Sequence, residues 1–414
     1  MTQAPVALPL SHGTRRSRRA LCAVNFFLAD VRDGLGPFLG IFLVGQGWAP
    51  DAIGYVMTAG GLAGMLATAP LGALADATRG KRFMIAACAV AVIVASLALL
   101  ASPSLFVTAA SQIATGLAGA AIGPALAALT LGLVGQAGLP LQLGHNEAFN
   151  HAGNGAAAVL AGWLGYSFGI EAVFWLMVAM AMGSLVALAF IRPADIDHDV
   201  ARGLESGAAA GGHGPARFSV LLRNLPLLLL GATLLLFHFG NAAMLPLLGQ
   251  AIATNGGFDP AAYTAVTVIV AQATMIPMAL LAARLAETRG YWIVLVMALV
   301  ALPLRGLLAG LWQAPMAMIP VQILDGVGAG LLGVATPGLV ARILKGTGHV
   351  NAGLGAVMTL QGVGAALSPA LGGYVAASYG YPAAFLVLSG VAACALVLWL
   401  AASARMRASC APGE

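Results

Sequence analysis

The chain is built from long apolar runs that charged side chains interrupt only at intervals. Of its 414 residues, 60% are hydrophobic and only 8% are Asp, Glu, Lys or Arg. A soluble protein of this length needs a polar surface, and this composition does not supply one. Apolar runs of about 20 residues have the length at which a helix crosses a bilayer. The sequence therefore predicts an all-α membrane protein.

Twelve apolar runs are expected to cross the membrane, and we number them spans 1 to 12. The predicted spans are residues 21–45, 51–75, 82–101, 104–133, 143–167, 172–191, 225–250, 260–284, 291–312, 315–340, 350–376 and 383–403. The chain is thereby divided into a basic cytoplasmic arm (1–19), a first half of six spans (20–192), a cytoplasmic linker (193–223), a second half of six spans (224–404) and a cytoplasmic tail (405–414). The Gly- and Ala-rich run 207–214 predicts a flexible linker.

The basic residues fall on one side of this twelve-span arrangement. Of 19 Lys and Arg, 17 lie in segments on the side of the two termini, and the other two, Arg32 and Arg305, lie within spans. Because basic loops stay in the cytoplasm, we expect a multi-pass protein of a bacterial cytoplasmic (inner) membrane with both termini inside. The net charge of +5 then reflects topology, and we expect no nucleic-acid partner.

A short charged turn between spans 2 and 3 returns between spans 8 and 9. Its first copy contains Gly72, Asp76, Arg79, Gly80, Lys81 and Arg82. The later copy is the sequence Leu-Ala-Glu-Thr-Arg-Gly at 285–290, so its last glycine, Gly290, follows Gly80 by 210 residues. Other residues repeat at nearly the same offset: Pro37 and Pro246, Pro50 and Pro260, Gln112 and Gln322, Gly116 and Gly326, and Gly169 and Gly380. The sequence thus predicts two similar six-span halves.

The first turn resembles the loop 2–3 signature of the major facilitator superfamily, Gly-x-x-x-Asp followed by Gly-Lys-Arg. The resemblance extends over nearly the whole chain, because length, span number and internal repeat all fit. It implies a secondary transporter in which spans 1, 4, 7 and 10 line a central cavity and spans 2, 5, 8 and 11 flank it. Gln112 stands where many proton-coupled members carry an arginine, and span 5 lacks the Gly-Pro pair of drug antiporters.

Polar side chains inside predicted spans mark interiors or water-filled cavities. Span 1 carries Asp30, Arg32 and Asp33, and the two acids share a helix face. If Arg32 neutralises one acid, the other can carry a proton; the alternative is a neutral cluster that only sets helix packing. Asp30 and Asp33 are therefore the first candidates for proton coupling, and Glu147 is the next.

Span 5 carries a polar stripe at helical spacing, formed by Glu147, Asn150, His151 and Asn154. Such a stripe is expected to face a cavity, or else to form hydrogen bonds with a neighbouring helix. We do not expect its histidine to bind a metal. The complete set of candidate cavity residues is Arg32, Gln112, Asn150, His151, Asn154, His238, Asn241, Gln272, Gln322, Asp325 and Gln361.

The second half lacks counterparts of the span 1 acids but contains one arginine and one acid inside spans. Arg305 in span 9 and Asp325 in span 10 can reach similar depth because the two spans run in opposite directions. A structural ion pair is the leading interpretation. A role in substrate binding or coupling is the alternative.

These features favour a secondary active transporter for a small organic solute that works by alternating access. We expect a proton gradient to drive it, with efflux slightly favoured, since no phosphate-binding loop is present. It is expected to be a monomer without cofactor, whose partners are solute, protons and the lipid bilayer. We find no convincing catalytic or metal-binding cluster in the sequence, and we therefore do not expect an enzyme. The alternatives are an exporter of metal ions or chelates that uses Asp30 or Asp33 with His238 and Asn241, and a non-transporting membrane sensor.

Overall fold

The computed structural model describes residues 12–32, 35–198, 200–202, 223–344 and 350–411. Within these ranges the chain forms α-helices and short 3-10 turns and contains no β-strand. The first half consists of His12–Arg32 and Pro37–Gly45 (span 1), Pro50–Ala77 (span 2), Lys81–Ala101 (span 3), Leu105–Phe168 (spans 4 and 5) and Glu171–Ala189 (span 6). The second half consists of Leu225–Asn241 and Met244–Asn255 (span 7), Pro260–Thr288 (span 8), Tyr291–Leu311 (span 9), Met318–Ile343 (span 10), Val350–Tyr379 (span 11) and Tyr381–Ala401 (span 12), followed by the tail helix Ser403–Cys410.

This architecture confirms the predicted all-α fold of two six-span halves. Ten stretches of the described chain are by themselves long and apolar enough to cross a membrane. The two remaining crossings are span 1, which is broken into two helices, and span 5, which continues from span 4.

The first span of each half is broken at an equivalent place, whereas the sequence predicts a continuous helix. In span 1 the break ends at Gly36, whose φ of 49° is a left-handed conformation that favours glycine, and Pro37 begins the next helix. In span 7 the first helix ends at Asn241 and the second begins at Met244. The repeat therefore includes a backbone break as well as a set of matching residues.

Helix His12–Arg32 begins within the basic arm and includes four of its arginines. Two contacts hold this helical extension against span 6 and the turn that follows it. The Ser17 hydroxyl donates to Asp195 at 2.5 Å, and the Arg16 guanidinium lies 5.0 Å from the centre of the Phe190 ring. Side-chain anchoring thus extends span 1 beyond its apolar run.

Spans 4 and 5 are joined by a kink, although the sequence predicts a loop between 133 and 143. The backbone leaves helical geometry at Gly135, with φ 66° and ψ 177°, and then resumes the helix. A glycine accepts this left-handed φ without strain. The junction is therefore a bend between two helices.

The described beginning of the linker packs on the first half. The Asp197 amide donates to the carbonyl oxygen of Gly132 at 2.8 Å, and residues 193–195 and 200–202 form short 3-10 turns. The rest of the predicted linker, including the Gly- and Ala-rich run 207–214, lies outside the described residues.

Each half has its own buried apolar core, with residues such as Phe42 and Phe174 in the first half and Phe237 and Trp399 in the second. Within a half, helices approach closely at small residues. A methyl group on Gly64, for example, would lie 2.8 Å from the carbonyl oxygen of Gly116, so spans 2 and 4 pack backbone to backbone.

Candidate transport cavity between the two halves

The two halves meet at one end of the bundle, which we call the opposite end because the basic turn 78–82 lies at the other, the basic end. Spans 1 and 7 touch there by a reciprocal contact. A methyl group on Gly40 would lie 2.8 Å from Gln250 Nε2, and one on Gly249 would lie 3.2 Å from Ile41 Cγ1. Gly40 and Gly249 are equivalent positions of the repeat, as are Ile41 and Gln250. Each glycine therefore contacts the residue that follows the equivalent glycine of the other half: Gly40 contacts Gln250, and Gly249 contacts Ile41.

Two further contacts between the halves flank this closure. Spans 2 and 11 pack at Gly54 against the backbone of Pro369, and the Thr58 hydroxyl accepts a hydrogen bond of 3.0 Å from the Ala370 amide. On the other flank, spans 5 and 8 meet where Gly162 faces Ala265. Glycine at these points lets the helices approach closely.

The halves separate toward the basic end and leave a cavity between them. Spans 2 and 11 remain close as far as Met65 and Gly362, where a methyl on the glycine would lie 3.7 Å from Met65 Cγ. Spans 2, 4 and 11 line a cavity of about 660 Å³ along this seam, which extends from Met57 and Pro369 to Thr68 and Gly355. This volume lies within the range of sites for small organic ligands.

The lining of this cavity is uncharged and mostly small. Its polar groups are the amide of Gln112 and the hydroxyls of Thr68, Thr115 and Thr359. Seven glycines form much of the remaining wall: Gly60, Gly61, Gly64, Gly116, Gly119, Gly355 and Gly362. Such a wall offers a solute the polar groups of Gln112 and the three threonines without a fixed charge.

The polar stripe of span 5 faces the space between the halves. Glu147 and His151 are exposed, and Asn150 and Asn154 are partly exposed. The stripe lies on the same helix face as Gly162, which touches span 8 at the opposite end. As spans 5 and 8 diverge toward the basic end, this face becomes a wall of the opening.

Gln272 lies on the corresponding face of span 8. It follows Ala265, the residue that meets Gly162, by seven positions, which is two helical turns. Gln272 therefore faces the span 5 stripe across the opening.

A charged cluster joins three spans of the second half. Arg305 in span 9 is 1% exposed, and its Nη1 lies 2.8 Å from Asp325 Oδ1 in span 10. The same nitrogen donates to Asn241 Oδ1 in span 7 at 2.5 Å. Asp325 keeps 18% of its side chain exposed, so the cluster is closed on the arginine side and open on the acid side. Sequence reasoning paired Arg305 with Asp325 but did not assign Asn241 to this pair.

Other candidate residues lie apart from the cavity lining. Gln322 is fully buried, and neither of its amide atoms has a hydrogen-bond partner among the described residues. His238 packs against the Phe237 ring, and its Nδ1 also lacks a described partner. Gln361 is partly exposed on span 11 but does not line the cavity described above.

The span 1 acids cannot be placed in this geometry. The side chains of Asp30, Arg32 and Asp76, and the whole of Asp33, lie outside the described residues. Two other residues of the loop 2–3 signature form hydrogen bonds that connect this turn to span 6 and close the turn itself. Arg82 donates to the carbonyl oxygen of Leu188 in span 6 at 3.1 Å, and buried Lys81 caps its own turn through the carbonyl oxygen of Thr78.

Sequence reasoning missed the threonines of the cavity wall and Gln250 at the closure. Thr68, Thr115 and Thr359 sit in apolar runs where threonine is common and carries no charge. The available signal was the dense glycine spacing around them, which marks close helix approach. Gln250 was passed over although it directly follows Gly249, a member of the repeat.

Two pseudo-symmetric helical halves that enclose a cavity closed at one end define a polytopic membrane protein built like a transporter. The family model of the Major Facilitator Superfamily matches residues 21–304 and 236–411. The chain is 42% identical over 388 residues to the uncharacterized MFS-type transporter Rv2456c of Mycobacterium tuberculosis (strain ATCC 25618 / H37Rv), covering 94% of this chain and 93% of that protein. The chain therefore belongs to the major facilitator superfamily, and it is a membrane transporter of that type.

Solved structures share the fold at low sequence identity. The nucleoside transporter NupG matches with a TM-score of 0.73 and 14% identity, covering 94% of this chain and 99% of its own. A POT family transporter in complex with a thioalcohol-conjugated peptide matches with 0.74 and 13%, covering 94% and 96%. A bacterial homologue of the human lysosomal transporter Spinster, inward-facing and unoccupied, matches with 0.73 and 13%, covering 98% and 100%.

Proposed function

We propose that this protein is a secondary active transporter that moves a small organic solute across a bacterial cytoplasmic membrane by alternating access. The observation that carries the proposal is the cavity between the two halves, which are joined at the opposite end by the reciprocal glycine contacts of spans 1 and 7. The positive-inside rule assigns the basic end to the cytoplasm. The arrangement then corresponds to an inward-facing form, and transport requires a second form in which the opposite end opens.

The chemistry of the lining supports a neutral or cationic solute. Threonine hydroxyls, the Gln112 amide and glycine backbone form the described wall, and no charged side chain contributes to it. Glu147 is exposed on the polar face of span 5, and its carboxylate has no described cationic partner. Asp325 is already paired with Arg305. A fixed anion is therefore a poor fit for this opening.

Proton coupling is assigned to an acid of the first half. Asp30 and Asp33 remain the first candidates on sequence grounds, and Glu147 is an exposed acid at the opening. An acid without a cationic partner can load and release a proton as the cavity opens to each side. Asp325 is less suited because its carboxylate is already paired with the Arg305 guanidinium at 2.8 Å.

The metal-exporter alternative loses part of its ligand set. Asn241 Oδ1 already accepts a hydrogen bond from the Arg305 guanidinium. A cation bound to the same oxygen would lie beside that guanidinium and be repelled by it. We therefore keep the organic solute as the proposed cargo, and the direction of transport as efflux.

Alternating access can be tested without knowing the solute. A single cysteine replaces Asn154 in a cysteine-free protein and is treated with a membrane-impermeant maleimide in right-side-out and in inside-out vesicles. We expect modification from both sides, because each form exposes the stripe to one side. A cysteine at Gln46 is the control that reacts only from outside. Modification of Asn154→Cys from the basic side alone, with or without a pH gradient, would favour a non-transporting membrane protein.

Coupling is tested in proteoliposomes with and without an inward-acid pH gradient, using uridine, a dipeptide and 5-aminolevulinic acid as the first radiolabelled probes. For a probe that is transported, Asp30→Asn or Asp33→Asn should abolish gradient-driven movement while exchange at equal pH survives. Full retention of proton-driven transport in both variants and in the double variant would move the coupling site to Glu147 or Asp325. Equal transport with and without the gradient would refute proton coupling.

A further inference from the structure

A cationic cleft lies between the first turns of span 1 and the start of span 5, at the basic end. It has a volume of about 500 Å³. Its lining is Arg15, Arg18, Arg19, Cys22, Gln142, His145 and Phe149. The span 1 residues follow each other at i, i+3, i+4 and i+7, which places three arginines on one helix face. No acidic side chain is found in the described lining.

The arginines of this cleft are free to bind an anion. Arg15 and Arg19 are exposed, and the described residues give neither of them an ion-pair or hydrogen-bond partner. Asp195 accepts the Ser17 hydroxyl, and Ser17 lies on another side of the helix from Arg15, Arg18 and Arg19. Arg16 is also directed elsewhere, against the Phe190 ring.

The floor of the cleft is a buried hydrogen-bond network. Arg18 Nε donates to Gln142 Oε1 at 2.8 Å, and Gln142 is 1% exposed. The Gln142 amide donates to Asn146 Oδ1 at 3.0 Å, and the Asn146 amide donates to the Thr130 hydroxyl at 3.0 Å. The Arg18 side chain is thereby fixed by spans 4 and 5, and its remaining donors stay available to the cleft. A guanidinium held in this way is preorganised for a phosphate.

The cleft opens toward lipid and away from the transport cavity. His145 and Phe149 lie on a face of span 5 that continues through Leu160 and Trp163, which are 40% and 57% exposed. The polar stripe that faces the space between the halves occupies a different face of the same helix. The exposed side chains along the cleft's face are apolar and aromatic, which suits acyl chains.

We propose that this cleft binds the phosphate of an anionic phospholipid head group. Arg15, Arg18 and Arg19 bind the phosphate oxygens, and the acyl chains run over Phe149 toward Trp163. Basic pockets between membrane helices are suited to such head groups because each arginine near the surface adds to the attraction. A transported solute is a poor occupant, because the cleft and the cavity lie on different faces of span 5.

The test uses the full-length protein with Cys22 as the only cysteine, and Cys22 lines the cleft. Its rate of alkylation by a water-soluble maleimide is measured in nanodiscs of phosphatidylcholine alone and of phosphatidylcholine with phosphatidylglycerol. Native mass spectrometry of the same protein counts bound phosphatidylglycerol. We expect Cys22 to be alkylated more slowly in the nanodiscs that contain phosphatidylglycerol. We also expect the protein to retain one phosphatidylglycerol molecule in the mass spectrometer. sn-Glycerol 3-phosphate in the aqueous phase tests whether a soluble phosphate is sufficient.

Arginine variants distinguish a specific phosphatidylglycerol site from a general attraction of anionic lipids to the basic helix. Arg15→Gln and Arg19→Gln should each weaken phosphatidylglycerol retention by about fivefold, the order expected for one basic residue at a membrane surface. Arg16→Gln is the matched control, since it removes the same charge from the same helix but faces Phe190. It should retain the lipid.

Three results would overturn the proposal. Equal protection of Cys22 by the two lipid compositions would remove the head-group preference. Loss of lipid in Arg16→Gln equal to that in Arg15→Gln would mean diffuse electrostatics. Full protection by sn-glycerol 3-phosphate in phosphatidylcholine would identify a soluble anion as the occupant.

Discussion

The two halves share a backbone plan but not their charges. Both break their first span, and both place a glycine at the closure, Gly40 in one half and Gly249 in the other. Among the residues that the structure describes, a buried ion pair is found in the second half alone. By the offset of the repeat, Arg305 corresponds to Ala95 and Asp325 to Thr115. The two halves therefore share their helix breaks and their closure glycines, whereas their charged side chains differ.

The amide side chains of spans 4 and 10 show the same contrast. Gln112 and Gln322 are equivalent in the repeat. Gln112 lines the cavity between the halves, and Gln322 is fully buried without a described partner. An identical residue at an equivalent position thus lines the cavity between the halves in one half and is buried among helices in the other.

The largest expected effect is on the ion pair between Arg305 and Asp325 in the second half. Arg305→Ala leaves Asp325 and Asn241 without their shared donor inside the bundle, at a cost of roughly 3–5 kcal/mol by analogy with buried pairs in soluble proteins. We expect poor expression and a lowered melting temperature in detergent. Combining it with Asp325→Ala should partly restore the fold. Arg284→Ala, at an exposed arginine of the same half, is the control.

An undamaged Arg305→Ala protein, or a double variant no better than the single one, would remove the structural role of the pair. The contrast between the halves would then rest on transport chemistry rather than on stability.

A smaller effect should be shared by both halves, because both contribute a glycine to the closure. Gly40→Leu drives a side chain into Gln250, and Gly249→Leu drives one toward Ile41 and Thr264. Overpacking costs typically about 1–3 kcal/mol, and here it falls on the closed form alone. We expect each variant to make Asn154→Cys on the order of tenfold more reactive from the opposite side.

Gly45→Leu is the matched control, since nothing lies within 4 Å of a methyl group at that position. A response to Gly40→Leu without a response to Gly249→Leu would break the proposed reciprocity of the closure.

The smallest effect on stability is expected at the paired amides. Gln322→Met removes two buried polar atoms that lack described partners, and replacing them by an apolar group should leave the melting temperature unchanged or raise it slightly. Gln112→Met should also fold but weaken solute binding, measured by equilibrium binding of a transported probe. Reduced binding in Gln322→Met with normal binding in Gln112→Met would reverse the assigned roles.

Much of this fold could be predicted from sequence, because the length of the apolar runs, the basic loops and the internal repeat are features of whole spans rather than of single residues. The broken spans were missed because Pro37 and Pro246 look tolerable in an apolar run, and only the backbone shows the left-handed Gly36. The sequence predicts that span 4 ends at 133 and span 5 begins at 143, whereas the backbone continues as a helix that bends at the left-handed Gly135.

The candidate site was predicted less completely. The spacing of polar residues alone predicted that the span 5 stripe lies on one helix face. The opposite directions of spans 9 and 10 predicted the pairing of Arg305 with Asp325, which the structure contains. The burial of Gln322 and the cavity position of Thr115 depend on how helices tilt and rotate, which sequence periodicity does not determine.

The central claim is that the two ends of the bundle open in alternation. Spin labels at Gln46 and Asn255, both exposed at the opposite end, and at Arg79 and Arg289, both exposed at the basic end, report on it by double electron–electron resonance in nanodiscs. When pH or a transported probe changes the populations, we predict that the first distance lengthens while the second shortens. Two distances that stay constant, or that change in the same direction, would contradict alternating access.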